Sequence, residues 1–251
     1  RKSPKQVKIL LKMIEAKGVS LPVAELLHKT ESSQSSLAKI KQKGFITVFE
    51  KEVDRRFKET YSEVHQEFVL TKQQKEIIDE VLSVQNQNKF QTFLLHGVTG
   101  SGKTQVYISL AREILAKNKT VLILVPEISL TPQITSRFFN NFGDTVTVVH
   151  SRMSAGERFD SWRRVLKGKS KIVIGARSAL FAPLNNIGLI VVDEEHDASY
   201  KSADMIPKYN ARDGAVVLGN IFSCPVILGS ATPSIESMGA QRAHRSSTRR
   251  I

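Results

Sequence analysis

One cysteine, Cys224, is all that this 251-residue chain contains. A single thiol cannot close an internal disulfide, and it cannot supply a cysteine zinc cluster, so zinc is not expected. Acidic residues are also scarce, with 24 Asp and Glu against 37 Lys and Arg. No run approaches the ~18 apolar residues a membrane span requires, so no membrane partner is expected. The chain opens Arg1-Lys2-Ser3-Pro4, without methionine or an apolar leader. That start suggests a piece of a longer protein with no secretory signal, and a cytoplasmic setting is expected. No internal repeat appears, which argues against a solenoid.

The positive charge lies at the ends. Residues 1–65 carry 14 Lys and Arg against 8 acids, residues 66–240 carry 19 against 16, and residues 241–251 carry 4 arginines and no acid. Basic ends favour a polyanionic partner, because neutralising phosphates releases counterions. A solvated surface has the same composition.

Residues 1–55 show helical periodicity followed by alternation. Val7, Ile9, Leu10, Leu11 and Ile14 predict a first helix ending near Gly18. Pro22 opens a second through Leu26 and Leu27, and Ser33 or Ser35 caps a third carrying Leu37 and Ile40 and ending at Gly44. Phe45–Val53 then alternates as a strand or hairpin does, which makes a winged-helix-like domain the expectation and a plain three-helix cap the alternative. Lys39, Lys41 and Lys43 are placed to meet phosphates, although the same fold also docks proteins. Residues 56–69 read as a charged linker.

From residue 70 to 237 strand and helix patterns alternate, predicting an α/β lobe with a parallel sheet covered on both faces. Strands are expected at Thr92–Leu95, Val121–Val125, Val146–Val149, Ile172–Ile174, Leu189–Val192 and Val226–Leu228, with helices at Lys103–Lys117 and Ala155–Leu166. Phe138, Phe139 and Trp162 sit on helical patterns as core residues. Residues 238–251 lack an apolar period and are expected to be a disordered basic arm or an altered end.

Two motifs carry the chemistry. Gly97-Val98-Thr99-Gly100-Ser101-Gly102-Lys103-Thr104 fits G-x-x-x-x-G-K-T between a strand and a helix, the context of a phosphate-binding loop. Its glycines let successive N–H groups face phosphates, and the helix N-terminus adds partial positive charge. Lys103 would reach the terminal phosphates of ATP, and Thr104 would offer its hydroxyl to Mg²⁺. Ninety residues on, Ile190-Val191-Val192 delivers Asp193-Glu194-Glu195-His196 to a strand end. There Asp193 would hold Mg²⁺ and Glu194 would orient and deprotonate water.

Other segments are candidates around this pair. Gln74, or its neighbour Gln73, has the donor and acceptor to read adenine, unless Thr71-x-x-Gln74 simply caps a helix. Ser230 and Thr232, in Gly229-Ser230-Ala231-Thr232-Pro233, could bond the Asp193–Glu194 pair. Ser129, Arg177 and Ser178 lie on two polar loops suited to the phosphates of a single strand. Tyr200, Lys201, Tyr209 and Arg212 interleave aromatics with cations, which suits base stacking or the packing of a loop onto the domain. His196 belongs to the acidic box and is a coupling candidate.

The strings G-V-T-G-S-G-K-T-Q-V-Y, V-P-E-I-S-L-T-P-Q, G-A-R-S-A-L-F-A-P, D-E-E-H-D-A-S-Y-K, Y-N-A-R-D and G-S-A-T-P-S-I-E-S together resemble the bacterial primosomal protein N′ (PriA) family of replication-restart helicases. The resemblance covers about residues 1–237. It implies a superfamily 2 DNA helicase of 3′-to-5′ polarity, with ATP and Mg²⁺ as cofactors and a nucleoid-associated, cytoplasmic location. Its partners would be forked or single-stranded DNA, primosome proteins and the helicase-loading machinery. In that family the loop from Tyr200 to Arg212 senses DNA and couples it to hydrolysis. Against the family pattern, an N-terminal 3′-end-binding domain, the cysteine-rich zinc insertion and the second motor lobe with its catalytic arginine are missing. Such an arginine is typically worth ~10³–10⁵ in rate, so this chain is expected to bind ATP and hydrolyse it poorly. Other DExH translocases, or a binding module with an incomplete nucleotide site, are the alternatives.

Overall fold

The structure is a computed structural model that describes residues 4–16, 18–49, 69–127, 132–202, 208–234 and 246–251. The chain divides into two compact units, Arg1–Val53 and Asp54–Ile251.

In the first unit, α1 (Pro4–Glu15), α2 (Val23–Lys29) and α3 (Gln34–Gln42) follow the apolar periodicity. They close around Ile9, Leu26, Leu37 and Ile40, with Leu10, Met13 and Ile46 packed at the margin. Pro22 and Ser33 stand at the caps of α2 and α3, and Gly44 ends α3 at φ +75°. The expected strand is not formed over Phe45–Phe49, and residues 50–53 lie outside the described residues. Phe45 and Phe49 are largely exposed, and among the described residues no strand of this unit offers them a ladder.

The second unit is a seven-stranded parallel sheet in the order β3-β4-β2-β5-β6-β1-β7. Its strands are β1 (Gln91–His96), β2 (Thr120–Leu124), β3 (Val146–Val149), β4 (Ile172–Gly175), β5 (Ile187–Val192), β6 (Pro225–Ser230) and β7 (Ser246–Arg250). The helices are α4 (Lys72–Asn86), α5 (Lys103–Ala116), α6 (Pro132–Phe142), α7 (Ala155–Leu166) and α8 (Ala211–Ile221).

Because strand side chains alternate, strands β1 to β6 feed two cores. Phe93, Leu95, Val121, Ile123, Ile174 and Val191 face the helices α4, α5 and α6 through Val81, Val106, Leu110 and Phe138. Leu94, Leu122, Leu124, Val173, Ile190 and Leu228 face the other way, with Val165 of α7 and Ala215 of α8. Every residue of β4, β5 and β6 is buried, which explains their unbroken apolar runs.

Two expectations change. Residues 246–250 form β7 beside β1, whereas a disordered arm was expected there. The outer edge of β1 offers unpaired backbone groups, and a strand without apolar period can satisfy them through the main chain alone. Trp162 is 40% exposed on α7, not a core residue, while Phe138 is fully buried.

α7 begins with a reciprocal capping box. The Ser154 hydroxyl accepts from the Glu157 N–H, and the Glu157 carboxylate accepts from the Ser154 N–H at 2.8 Å. Ser154→Ala is expected to cost about 1 kcal/mol, read as a fall of roughly 2–4 °C in the melting temperature. An unchanged melting curve would show that the box contributes nothing.

Candidate nucleotide-binding site

The strand order decides which loops meet. β6 lies between β5 and β1, with His96 level with Ser230 and Val192 level with Leu228. The carboxyl ends of these three strands therefore bring residues 97–104, 193–196 and 230–234 to one rim, where open parallel sheets bind ligands.

In the phosphate loop Gly100 and Gly102 hold φ of +83° and +91°, left-handed values that favour glycine. Gly97 is needed for space, since a methyl there would overlap the Ser101 hydroxyl. Lys103, the first residue of α5, is 7% exposed. Its ammonium donates to the Gly97 carbonyl at 2.8 Å and lies 3.5 Å from Glu194 Oε1. The Ser101 hydroxyl is buried without a hydrogen-bond partner among the described residues. A buried orphan hydroxyl, a cradle that a side chain would fill and a lysine at a helix N-terminus together fit a polyphosphate. Gly97, Val98, Thr99, Gly100, Ser101 and Gly102 form the loop after β1, and Lys103 and Thr104 open α5.

Gln74 joins this loop while serving as a cap. Its side-chain carbonyl accepts from the Thr71 N–H at 3.0 Å, and its amide donates to the Ser101 carbonyl at 3.0 Å. Both of its functions are thereby used within the chain.

Asp193 directly follows β5. Burial, reinforced by the Glu194 charge, pushes its carboxyl up to about 6, against the opposing effects of the Tyr107 hydrogen bond and Lys103. Glu194 is held at φ +44°, a left-handed value uncommon outside glycine. It stands 3.8 Å from His196 Nδ1 on the side away from Lys103. Thr104 and Asp193 are the residues that would hold a divalent ion beside the phosphate loop. Among the described residues no cluster of three or more His, Cys, Asp or Glu forms a cage of its own.

The hydroxyls after β6 bond differently from expectation. Ser230 Oγ lies 2.7 Å from His196 Nδ1, and Thr232 Oγ1 lies 3.3 Å from His196 Nε2, so they engage the histidine and not the Asp193–Glu194 pair. Glu195, which sequence reasoning passed over, is the buried anchor. It accepts from the Ser234 N–H at 2.7 Å and pairs with Arg212 at 3.3 Å. Arg212 also donates to Asp213 at 2.9 Å and to Ser234 at 3.0 Å, so it clamps three segments together and does not point to solvent.

Tyr200 requires the clearest correction. It is 1% exposed, and its hydroxyl donates to the Asp193 carbonyl at 2.6 Å, so it packs the loop and cannot stack on a base. Tyr209 meets Phe181 edge-on at 5.1 Å. Lys201 and Asn210 form an antiparallel bridge, and Arg177 donates to the Lys201 carbonyl at 3.1 Å. Ser178 and Lys201 are exposed. Ser129 lies outside the described residues.

Sequence reasoning also missed Tyr107, whose hydroxyl donates to Asp193 Oδ1 at 2.9 Å. The available signal was a tyrosine on the buried face of α5, where a hydroxyl must find an acceptor.

A parallel sheet with a phosphate loop after one strand and an acidic pair two strands away defines a RecA-like lobe of the helicase type. The chain belongs to the family described as the Type III restriction enzyme, res subunit, whose model matches residues 67–235. It is similar to the replication restart protein PriA of Bacillus subtilis, with 43% identity over 244 residues, covering 94% of this chain and 30% of the relative. Similarity to the PriA of a Synechocystis species is also 43%, covering 95% of this chain and 28% of the relative. The chain thus spans under a third of the length of these relatives. Among solved structures, a hypothetical ATP-dependent RNA helicase from Sulfolobus tokodaii matches with a TM-score of 0.51 at 18% identity, covering 70% of this chain and 52% of that one. RecG bound to a three-way DNA junction matches with a TM-score of 0.51 at 16% identity, covering 98% of this chain and 29% of that one. Both are likenesses of fold.

Proposed function

We propose that this chain is the first motor lobe of an ATP-dependent DNA helicase that acts in the restart of stalled replication forks. The observation that carries the reading is the meeting of Lys103, Asp193 and Glu194 at one strand rim, beside a loop shaped for phosphate. Residues 97–104 would hold ATP, with Gln74 steadying the loop through the Ser101 carbonyl, and Thr104 and Asp193 would hold Mg²⁺, which would neutralise phosphate charge. Glu194 would orient and deprotonate the attacking water. His196, bonded to Ser230 and Thr232, would pass the state of that site to the loop after β6.

DNA, forked or single-stranded, would cross the same rim at Ser178 and Lys201, with Arg177 and Tyr209 shaping the surface. The three-helix unit would serve as a separate DNA- or partner-docking module, joined through a linker at 56–69. Translocation would run 3′ to 5′, with primosome and helicase-loading proteins as partners in a cytoplasmic, nucleoid-associated setting. Similarity to two proteins named replication restart protein PriA supports the role in replication restart. Among the described residues no helix is long and apolar enough to cross a membrane.

The test is ATP hydrolysis with and without forked DNA, alongside nucleotide binding. The expected result is nucleotide binding by residues 1–251, with turnover that an arginine from a second lobe would raise by about 10³ or more. Absence of nucleotide binding would overturn the reading.

A further inference from the structure

The Tyr107 hydroxyl reaches Asp193 Oδ1 from one turn beyond Lys103 on α5, and the residue is fully buried. Space for it comes from β6, where a methyl on Gly229 would overlap the hydroxyl and stand 3.1 Å from Asp193 Oδ1. Tyr200 arrives from the opposite side in sequence and holds the backbone carbonyl of the same aspartate. Asp193 is therefore pinned twice, through its main chain by one tyrosine and through its carboxylate by another.

Packing accounts for the ring of Tyr107, which lies in the core between α5 and the sheet. It does not account for the oxygen, since phenylalanine would fill that core without a polar group to satisfy. The hydroxyl spends its hydrogen bond on a site carboxylate, and a glycine in the neighbouring strand leaves it room.

We propose that Tyr107 is a positioning residue for the divalent cation at the phosphate loop, fixing the rotation of the Asp193 carboxylate so that the ion meets it in one orientation. This rests on the nucleotide-site reading above. α5 then sets two elements of the site from one helical turn, with Lys103 for phosphate and Tyr107 for the cation ligand. Outer partners of this kind typically change metal affinity by ~10–100-fold when removed.

The test is binding of a fluorescent ADP analogue to the whole chain, in EDTA and across a MgCl₂ titration, with wild type, Tyr107→Phe, Gly229→Ala and Lys103→Ala. Tyr107→Phe is expected to bind as wild type does in EDTA and to need about tenfold more Mg²⁺ for half-maximal enhancement. Gly229→Ala, which displaces the hydroxyl without deleting it, is expected to show the same Mg²⁺ defect. An unchanged Mg²⁺ requirement in Tyr107→Phe would overturn the inference. Equal loss of binding with and without Mg²⁺, or loss of a cooperative melt, would also overturn it, since the hydroxyl would then serve the fold. If wild type and Lys103→Ala fail alike to bind nucleotide, the nucleotide-site reading itself falls.

Discussion

Lys103→Ala should lower nucleotide affinity by about 10–100-fold and reduce any hydrolysis by a further factor on the order of 10²–10³. The affinity figure follows from losing a charge-assisted hydrogen bond to phosphate. The rate figure is that for removing a preorganised donor from a site where charge develops. Lys103 is buried, and its ammonium already sits inside the loop, on the Gly97 carbonyl at 2.8 Å. Phosphate would therefore replace a carbonyl contact without requiring the side chain to travel far. Removal has a second consequence, because Glu194 loses the cation 3.5 Å away and is left with His196 at 3.8 Å among the described residues. Glu194 also holds a left-handed backbone, a conformation that costs on the order of 1–3 kcal/mol and persists where the surroundings enforce it. The variant should thus lose both the phosphate grip and the ordering of the acid that handles water. A fluorescence titration with nucleotide, alongside a steady-state hydrolysis assay, measures both effects. Wild-type affinity in the variant would remove Lys103 from the site.

Much of the lobe was legible in the sequence for a simple reason. A strand buried on both faces must be apolar at successive positions, so Val121–Val125 and Leu189–Val192 stand out without any partner being known. The phosphate loop was legible because its glycines answer to backbone conformation and space, with left-handed φ at Gly100 and Gly102, and so recur at a fixed spacing. β7 was not, because an edge strand such as Ser246–Arg250 can be held by main-chain hydrogen bonds that leave no side-chain pattern. Tyr200 stayed open between two readings, since an aromatic beside a cation has the same appearance whether it stacks on a base or is buried under a loop. Its hydroxyl decided the matter by finding the Asp193 carbonyl. Glu195 and Arg212 were separated by seventeen residues, and only the fold brings them to 3.3 Å.

Asp193→Asn should make the unliganded chain more stable while removing its response to magnesium. The carboxyl of Asp193 is raised from an ordinary 3.8 to about 6, chiefly by burial and then by Glu194. Since the folded state holds this proton more tightly than the unfolded chain does, ionisation works against folding. Well below 3.8 both states are protonated, and the aspartate costs nothing. Between about pH 4 and 6 the unfolded chain ionises first and stability falls, and above that range the deficit is constant. Its ceiling is about 3 kcal/mol, from 1.36 kcal/mol for each pH unit separating the two values, and partial solvent exposure of the residue lowers it. Asparagine keeps an oxygen for the Tyr107 hydroxyl and carries no charge. The expected result is a melting temperature higher than wild type by roughly 2–4 °C for each kcal/mol gained, with the gap opening between pH 4 and 6 and staying level above 7. Mg²⁺ with nucleotide should then raise the melting temperature of wild type and leave that of the variant unmoved, because a cation reverses the cost of the buried charge only where the charge exists. An asparagine variant that melts below wild type at pH 7.5 would mean that the carboxylate stabilises the unliganded lobe, and the balance of burial against Lys103 and Tyr107 would then lie the other way.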